Sequence, residues 1–428
     1  MNRSKEIHWF GEIPSNWEVT KVKHIFNVKN GGTPKSNVEE FWKNELIWIT
    51  PEDLSNQDKE IHNSKRMISR LGMINSSATL IKKDSIVIST RAPIGNVKIS
   101  RQEFTTNQGC KSLETKSELV NSGFYYYLIS ISKNYLNSLG QGTTFLELSN
   151  NNLKNIEVPI PAKGIQDSIV DFLDDKTSEI DSLIADKEKL IELMEEKRQA
   201  IIAERVTKGL NPNVEMKDSG IDWIGEIPEH WEMNKLKYLV YLRNEKVVNN
   251  TTLPYVGLEN IESKTGKYYQ SIDIEEQLVE GTSSAFYSGD VLFGKLRPYL
   301  AKCIVANFDG QCTTELLVMK TKENIILNEY LNFLLLSDIY IQVINSSTYG
   351  AKMPRANWDF ISNLPIPLPN IKEQIAIIEN VKNEITTIDE LNEELRLQIE
   401  KLKEYRQSLI YEAVTGKIDV REYKKVLS

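Results

Sequence analysis

The feature that most constrains the fold is a long heptad stretch that occurs twice in this chain. The first copy spans about Gln166–Lys208 and the second about Gln374–Gly416, and counterparts lie 208 positions apart without a gap. Apolar residues recur at alternating steps of four and three, which is typical of a coiled-coil seam. They are Ile169, Leu173, Ile180, Leu183, Leu190, Met194 and Ile201 in the first copy, and Ile377, Val381, Ile388, Leu391, Leu395, Leu402 and Leu409 in the second.

Each heptad stretch is predicted to form one uninterrupted helix. Neither copy contains proline, and glycine occurs only at the C-terminal ends, at Gly209 and Gly416, where helices commonly stop. Such a helix is roughly 60 Å long at about 1.5 Å per residue. It is too long for one globular core, so we expect its apolar stripe to pack on a partner helix. A solvated single helix is the alternative, but it would leave the stripe exposed.

A second repeat precedes each helix. The segment Ile7–Glu18 returns as Ile221–Glu232, 214 positions later, with eight of twelve positions identical. We call these two segments the tryptophan segments, since each contains two tryptophans. Each is followed by a divergent block that ends alike, in Val158–Pro161 and Ile366–Pro369, which are predicted to be short last strands stopped by proline. The order tryptophan segment, variable block, long helix therefore occurs twice.

The variable blocks, about 19–157 and 233–365, are predicted to be mixed α/β domains of one fold with different surfaces. Two features align between them: Ile86–Arg91 with Leu292–Arg297, and Thr105–Gln108 with Thr313–Leu316. Strands are predicted at Leu46–Thr50, Ser85–Ser89, Val97–Ser100, Asp290–Phe293, Lys302–Ala306 and Glu315–Met319, and helices at Ser122–Ser132 and Leu327–Ser337.

This order predicts an α/β (α+β) architecture with an internal pseudo-two-fold repeat. The predicted boundaries are 1–162 for the first domain, 163–212 for the first spacer helix, 213–369 for the second domain and 370–428 for the second helix and tail. If the two seams pack symmetrically, the helices form an antiparallel coiled coil with a domain at each end. The first tryptophan segment should then lie where the second helix finishes.

The overall acidity does not exclude a nucleic-acid ligand. The net charge is −8, but the two helical stretches carry −5 and −4, which leaves the remainder close to neutral. Three cysteines without a local pair argue against a disulfide framework and favour a reducing compartment. No signal peptide is evident, and no apolar run approaches about 18 residues, so we expect a soluble cytoplasmic protein without a membrane span.

The sequence carries no motif of a catalytic, metal or cofactor site. It lacks a P-loop, a His-Glu-x-x-His motif and any Cys-x-x-Cys pair. An amino-methyltransferase would need an Asn/Asp-Pro-Pro-aromatic loop, and the chain has no Pro-Pro dipeptide. Acidic groupings such as Asp58-Lys59-Glu60 could be forced into a nuclease pattern, but with 26% charged residues they arise by chance.

The ordered motifs resemble the DNA-specificity subunit of type I restriction–modification systems over essentially the whole chain. They are the repeated Trp-x-Gly-Glu-Ile-Pro-x-x-Trp motif, the Val-Pro-Ile-Pro turn and the acidic helix with Lys197-Arg198-Gln199, or Tyr405-Arg406-Gln407 in the repeat. The resemblance implies two target-recognition domains on a helical spacer, each reading half of a split site in double-stranded DNA. It also implies a subunit that performs no chemistry itself. Two adenine-N6 methyltransferase subunits and motor-nuclease restriction subunits would join it, with S-adenosylmethionine, ATP and Mg²⁺ on those partners only.

A structural adaptor is the alternative function. Two related domains with unlike surfaces, held at a fixed separation, suit two unlike features of one extended ligand, and DNA half-sites are such features. A coiled-coil adaptor whose two end domains bind proteins would have the same architecture. Neighbouring genes for an adenine methyltransferase and a helicase-nuclease would favour the specificity subunit.

The strongest DNA-contact candidates lie at predicted turns. Arg91 follows a strand and could bind guanine O6 and N7 through two hydrogen bonds, although a phosphate contact or an internal salt bridge is equally open. Arg297, with Lys295 and Tyr299, is interpreted in the same way. The amides of Asn107 and Gln108 could read adenine or simply form a turn. The remaining candidates are Thr90 and Thr314 in the aligned segments, and Lys98, Lys111, Lys302 and Lys352 as phosphate contacts or ordinary solvated lysines.

Shared partners should bind the surface that repeats. Because the helices repeat while the blocks differ, two copies of one protein partner would meet the helices. The candidates are Glu195, Glu196, Lys197 and Arg198 and their counterparts Lys403, Glu404, Tyr405 and Arg406, although a solvated helix face is the alternative. The four tryptophans of the tryptophan segments, Trp9, Trp17, Trp223 and Trp231, are predicted to be core or helix-docking residues.

Overall fold

The computed structural model describes residues 5–56, 58–142, 146–248, 253–269, 282–350, 352–420 and 423. The chain divides into two compact units: unit 1 comprises Met1–Asp186 and Gln398–Ser428, and unit 2 comprises Lys187–Leu397. Each unit thus contains one variable domain and part of both long helices. The compact units therefore differ from the predicted boundaries, which kept each helix whole.

Unit 1 is built on a five-stranded sheet and a three-stranded sheet, ordered β4-β11-β8-β9-β6 and β10-β5-β7. Its strands are β1 (Lys5–Ile7), β2 (Gly11–Ile13), β3 (Glu18–Lys21), β4 (Phe26–Asn30), β5 (Leu46–Ile49), β6 (Glu60–Ile61), β7 (Met67–Ile68), β8 (Ser85–Ser89), β9 (Val97–Ser100), β10 (Phe104–Thr106), β11 (Cys110–Thr115) and β12 (Glu157–Ile160). Its short helices are α1 (Val22–Ile25), α2 (Arg70–Ile74), α3 (Ser122–Ser130), α4 (Lys133–Ser138) and α5 (Asn150–Asn155), followed by the long α6 (Lys163–Lys208).

Unit 2 contains two four-stranded sheets, ordered β16-β23-β20-β21 and β17-β19-β22-β18. Its strands are β13 (Met216–Asp218), β14 (Glu226–Pro228), β15 (Glu232–Lys235), β16 (Val240–Leu242), β17 (Lys246–Val248), β18 (Tyr255–Val256), β19 (Thr282–Phe286), β20 (Val291–Gly294), β21 (Cys303–Val305), β22 (Gly310–Cys312), β23 (Leu316–Thr321) and β24 (Pro365–Leu368). Its short helices are α7 (Leu236–Leu239), α8 (Asn328–Leu336), α9 (Asp338–Ser346) and α10 (Trp358–Ile361). The long α11 (Ile371–Val414) begins in unit 2 and ends in unit 1, as α6 begins in unit 1 and ends in unit 2.

The central strand of each domain is buried along its length. All five residues of β8 and all four of β20 are buried, and each strand has a hydrogen-bonded neighbour on both sides: β11 and β9 for β8, and β23 and β21 for β20. A strand covered on both faces has a continuous apolar sequence, and this is why the sequence located it. The predictions at Ser85–Ser89 and Val97–Ser100 match β8 and β9 end to end.

The last strand of each domain returns to the tryptophan segment that began it. Strand β12 pairs antiparallel with β3, and β24 pairs antiparallel with β15. Each pair forms its own two-stranded sheet, which suits the prolines Pro159 and Pro367, since proline cannot donate to a central ladder. The chain therefore closes each domain where it began, directly before the long helix.

In unit 1 the first tryptophan segment lies against the end of α11, as predicted. The Tyr411 hydroxyl donates a hydrogen bond to the Phe10 carbonyl oxygen at 3.3 Å. Gly416 ends the helix with φ +71°, and a Cβ atom added there would lie 2.5 Å from Pro14 Cγ and 2.9 Å from Trp17 Cζ2. The helix end and the tryptophan segment therefore approach too closely for any residue but glycine.

Unit 2 repeats this docking at the end of α6. Gly209 has φ +74° and faces the buried ring of Trp231, whose Nε1 donates to Glu373 Oε1 at 3.0 Å. The first tryptophan of each segment also packs inside its unit: Trp9 stacks on Tyr135, and Trp223 meets Tyr340 edge-on. The prediction that these tryptophans are core or docking residues is confirmed.

The two long helices run antiparallel in both units. In unit 2, Glu195 bonds Asn392 and Arg198 bonds Asp389, so residue numbers increase along α6 in the direction in which they decrease along α11. In unit 1, Arg406 binds Asp181, and these residues are the 208-position counterparts of Arg198 and Asp389. One ion pair is thus made twice, and it sets the same helix register in each unit.

Candidate nucleic-acid interface

Three segments meet at one edge of the domain in unit 1. The Thr90 amide, just after β8, donates to the Gly109 carbonyl at 2.8 Å, and the Leu148 amide donates to the Thr90 carbonyl at 2.8 Å. Just before Leu148, Gln141 and Glu147 exchange backbone hydrogen bonds of 3.0 Å. We call this edge the three-loop junction: the loop after β8, the turn before β11 and a third loop, represented by Glu147 and Leu148.

Unit 2 has an equivalent three-loop junction. The Lys295 amide donates to the Glu315 carbonyl at 3.0 Å, and the Ala356 amide donates to the Lys295 carbonyl at 2.9 Å. Its third loop is closed by a bridge between Tyr349 and Arg355. The backbone therefore equates Thr90 with Lys295, and Gly109 with Glu315.

This backbone register corrects the alignment made from the sequence. Arg91 bridges to Glu147, whereas the residue that bridges to Arg355 is Leu296, so Arg91 corresponds to Leu296 and not to Arg297. The physical reason is that the strand ladder, and not residue identity, decides which positions coincide.

The alignment of the second segment was wrong by two positions. The Asn107 amide donates to the Ile49 carbonyl, and the Thr313 amide makes the equivalent bond to the Val256 carbonyl, both at 3.0 Å. Asn107 therefore corresponds to Thr313.

Each junction carries one exposed guanidinium–carboxylate pair. In unit 1, Arg91 Nε donates to Glu147 Oε2 at 3.0 Å, and the Arg91 side chain is 48% exposed. In unit 2, Arg355 donates from Nε and Nη2 to Glu315 at 3.2 Å and 3.0 Å, and the Arg355 side chain is 42% exposed. Hydrogen bonding to Glu315 raises the pKa of Arg355. Each pair places a fixed positive charge at the protein surface.

Sequence reasoning missed Glu147, Glu315 and Arg355. A signal was nevertheless present, because the 208-position spacing equates Glu147 with Arg355 and so shows a reversal of charge between the repeats. The 208-position spacing does not show which residues pair with Glu147 and Arg355. Their partners, Arg91 after β8 and Glu315 before β23, lie on different loops.

Three predicted DNA contacts are buried, and we remove them from the interface. Thr90 is fully buried, with its hydroxyl on the Gly109 carbonyl. Lys98 is buried and donates to Asn56, and burial lowers the pKa of its ammonium group. Lys111 is buried, donates to the Leu148 carbonyl at 3.1 Å, and also has a pKa lowered by burial. These side chains are held inside their domain and cannot reach a ligand in this conformation.

The two predicted amide readers take different roles. Asn107 is half-buried, and its Oδ1 accepts from the Gly109 amide at 2.9 Å, which is the turn-forming alternative. Gln108 is exposed next to it, where its side-chain oxygen accepts from the Thr33 hydroxyl. Of the two, Gln108 is the side chain that the junction presents to solvent.

The predicted contacts of unit 2 mostly face outward. Arg297 is exposed at a left-handed backbone position with φ 51°, which is uncommon for a residue other than glycine. Lys302 is instead turned inward, with Nζ donating to the Leu258 carbonyl at 2.5 Å. Lys295 is half-buried, whereas the exposed candidates are Tyr299, Thr314 and Lys352.

The residues predicted to bind a protein partner on the long helices also divide into buried and exposed side chains. Arg198 is buried against Asp389, and half-buried Glu195 bonds Asn392, so both stabilise the helix pair and are removed from the partner face. Arg406 is half-buried on Asp181. The side chains left exposed are Glu196 and Lys197 on α6, and Lys403, Glu404 and Tyr405 on α11.

Two further classes of site are absent from the described ranges. No described helix combines the length and the apolarity needed to cross a membrane. Within the same residues, no group of three or more histidine, cysteine or acidic side chains is placed to hold a metal ion.

The chain belongs to the family of type I restriction-modification DNA specificity domains. That family matches residues 14–193 and 228–401. The chain is 27% identical over 437 residues to the type I restriction enzyme MjaIX specificity subunit of Methanocaldococcus jannaschii, covering 96% of each chain. It is also 23% identical over 349 residues to the EcoDI specificity subunit of Escherichia coli, covering 76% of this chain and 77% of that one.

Solved structures share the fold. A chain from a study of complex assembly and conformational transition of the type I R-M system superposes with a TM-score of 0.71 at 14% identity, covering 95% of this chain and 99% of that chain. The HsdS subunit from Thermoanaerobacter tengcongensis gives 0.52 at 15% identity, covering 95% and 98%. These neighbours confirm the predicted architecture of two α/β domains and two long helices.

Proposed function

We propose that each domain reads one half of a bipartite, asymmetric DNA site through its three-loop junction. The observation that carries this proposal is the repetition of one backbone framework with different side chains. Arg91 corresponds to Leu296, and Glu147 corresponds to Arg355. A surface that reads different bases needs this combination, because base identity is read by hydrogen bonds from particular side chains at fixed positions.

The two long helices provide a surface that is repeated in the two halves of the chain. Exposed Glu196 and Lys197 on α6 correspond to Glu404 and Tyr405 on α11. We propose that two adenine-N6 methyltransferase subunits bind these repeated faces, and that restriction subunits join the resulting complex. The chain itself contributes no catalysis, and S-adenosylmethionine, ATP and Mg²⁺ belong to the partner subunits.

Methylation mapping tests the proposal. The full chain should be expressed with its methyltransferase subunit in a host that lacks adenine methylation, and methylated adenines should be located genome-wide. We expect a split motif with unlike halves around an unread spacer. A continuous or palindromic motif would show that the two domains do not read DNA independently. Methylation or cleavage by the purified chain alone, supplied with S-adenosylmethionine or with ATP and Mg²⁺, would contradict its non-catalytic role.

A matched insertion tests whether the helices set the spacer. The shared register of the Arg198–Asp389 and Arg406–Asp181 pairs puts level insertion points after Asp186 and after Glu400. One heptad in each helix adds roughly 10 Å and keeps the seam in phase. We expect unchanged half-sites with a longer spacer, or loss of methylation if the domains leave a common face of the duplex. A heptad in one helix only is the control, and an unchanged motif in the doubly lengthened chain would exclude the spacer role.

A further inference from the structure

One arrangement recurs at both junctions although its residues do not. In unit 1 the guanidinium comes from the loop after β8, as Arg91, and the carboxylate from the third loop, as Glu147. In unit 2 the guanidinium comes from the third loop, as Arg355, and the carboxylate from the turn before β23, as Glu315. A guanidinium held by a carboxylate is therefore present twice at one place in the fold, built from different loops.

Stability does not explain this recurrence. Exposed ion pairs contribute about 0–1 kcal/mol, because solvent screens them and two side chains lose rotamer freedom. Equivalent backbone positions in the repeats have diverged, as Gly109 and Glu315 show. A pair rebuilt at one site with little gain in stability indicates a role toward a ligand at that site.

The geometry fits a guanidinium presented to two acceptors. Glu147 accepts a hydrogen bond from Nε of Arg91, and the ammonium of buried Lys111 lies 3.8 Å from the other oxygen of the Glu147 carboxylate. Within the described ranges no residue bonds either terminal nitrogen of Arg91, so these two nitrogens can face a ligand. In unit 2 the position of Lys111 is occupied by Leu317, which pairs with Phe293 as Lys111 pairs with Ile88. There Glu315 is held by hydrogen bonds from two nitrogens of Arg355, Nε and Nη2, in place of the contact that Lys111 makes with Glu147 in unit 1.

We propose that Arg91 and Arg355 each recognise a guanine in their own half-site, and that Glu147 and Glu315 are positioning residues that aim them. This inference rests on the proposed function. In the major groove guanine presents O6 and N7, two acceptors that match the parallel donors of one guanidinium.

Binding to altered sites tests the inference. The full chain, with its methyltransferase subunit, is titrated against the wild-type site and against probes with each guanine changed to adenine or 7-deazaguanine. We expect Arg91→Ala to lose about 5- to 150-fold in affinity on the wild-type site and to become indifferent to one guanine of one half-site. Arg91→Lys should lose the same preference, since an ammonium lacks the paired donors. Arg355→Ala should do this in the other half-site, so each variant is the control for the other.

The carboxylates give a separate test. Removing a negative charge near DNA raises affinity for every sequence if the role is electrostatic alone. A positioning role instead predicts that Glu147→Gln and Glu315→Gln lower the preference for the corresponding guanine whatever the change in overall affinity. A uniform rise with unchanged preference would overturn the positioning role.

The arginine variants can also fail in two ways. A loss on all sequences with a shallower salt dependence would assign Arg91 to a phosphate, and no change on any sequence would place it outside the interface. Both results overturn the guanine assignment while the wild-type chain still selects a split site. The proposed function fails separately, if the wild-type complex selects no split site. Thermal unfolding of each variant confirms that the domain is intact.

Discussion

The guanidinium of Arg198 is buried and bonds the carboxylate of Asp389, whereas the same pair in the other repeat leaves Arg406 27% exposed on Asp181. The difference arises because a loop of unit 2 that contains Thr265 covers Arg198. Nη2 of Arg198 donates to the Thr265 carbonyl at 3.2 Å. One repeated sequence element therefore has two environments. Its energetic weight should differ accordingly.

The first prediction compares Arg198→Ala with Arg406→Ala. Truncating the buried arginine should destabilise unit 2 by about 3 kcal/mol, because packing is lost along with the bond to Asp389. Truncating the partly exposed Arg406 should cost about 1 kcal/mol or less. Hydrogen exchange of the α6 and α11 segments measures the loss locally. Equal effects of the two substitutions would contradict the burial difference.

A double substitution separates burial from charge. Arg198→Met with Asp389→Leu should recover part of the stability lost in Arg198→Ala, because apolar side chains avoid the desolvation cost of the ion pair, whereas the bonds of Asp389 to Lys267 and of Arg198 to the Thr265 carbonyl are lost. Denaturant unfolding of the single and double variants gives the comparison. A double variant as unstable as Arg198→Ala would show that the ion pair itself is required.

The second prediction concerns the glycines that end the long helices. Gly416→Ala should destabilise unit 1 by about 2 kcal/mol or more, from the left-handed backbone and from the clash with Pro14. Gly209→Ala should cost less, since its nearest neighbour is a Trp231 ring atom at 3.2 Å. Gly164→Ala is the control, because nothing lies within 4 Å of the added methyl group. Unfolding midpoints should rank the three variants in that order.

The third prediction concerns the loss of folding stability at alkaline pH. Burial raises the pKa of Tyr126 to about 12, with Asp181 raising and Arg406 lowering it to smaller extents. The pKa of Tyr126 in the folded chain exceeds the unfolded value of about 10. The contribution of Tyr126 to the free energy of unfolding is therefore fully present below pH 10 and is lost as pH rises toward 12. Tyr126→Phe should therefore flatten the decline in unfolding free energy by about 2–3 kcal/mol across that window. Tyr238→Phe, at an exposed position, serves as the control.

The fourth prediction concerns the three cysteines, which are free and fully buried. Burial raises the pKa of each thiol, that of Cys312 to about 12. A thiol reagent such as Ellman's at about pH 8 should therefore leave Cys110, Cys303 and Cys312 unmodified in the native chain and titrate all three in denaturant. Rapid reaction of any one in the native state would contradict its burial.

Local patterns in the sequence were sufficient for the long helices and the principal strands. The heptad period predicted α6 and α11, because apolar residues at steps of three and four occupy one helix face. The apolar run Ile86–Ile88 predicted β8, and the alternation of apolar and polar residues in Val97–Ser100 predicted β9. The repeat of the tryptophan segments predicted that their tryptophans are core or helix-docking residues, because these residues recur where the variable blocks do not.

The composition of the recognition edge was decided only by the tertiary structure. Whether Arg91 corresponds to Leu296 or to Arg297 depends on hydrogen bonds between strands far apart in the chain, and a one-residue shift leaves local sequence patterns unchanged. The burial of Lys98 and Lys111 likewise depends on what packs above them, and not on their own residue type. Periodicity records how one element meets its neighbours on average, whereas a binding edge is formed by loops that are brought together only when the sheets assemble.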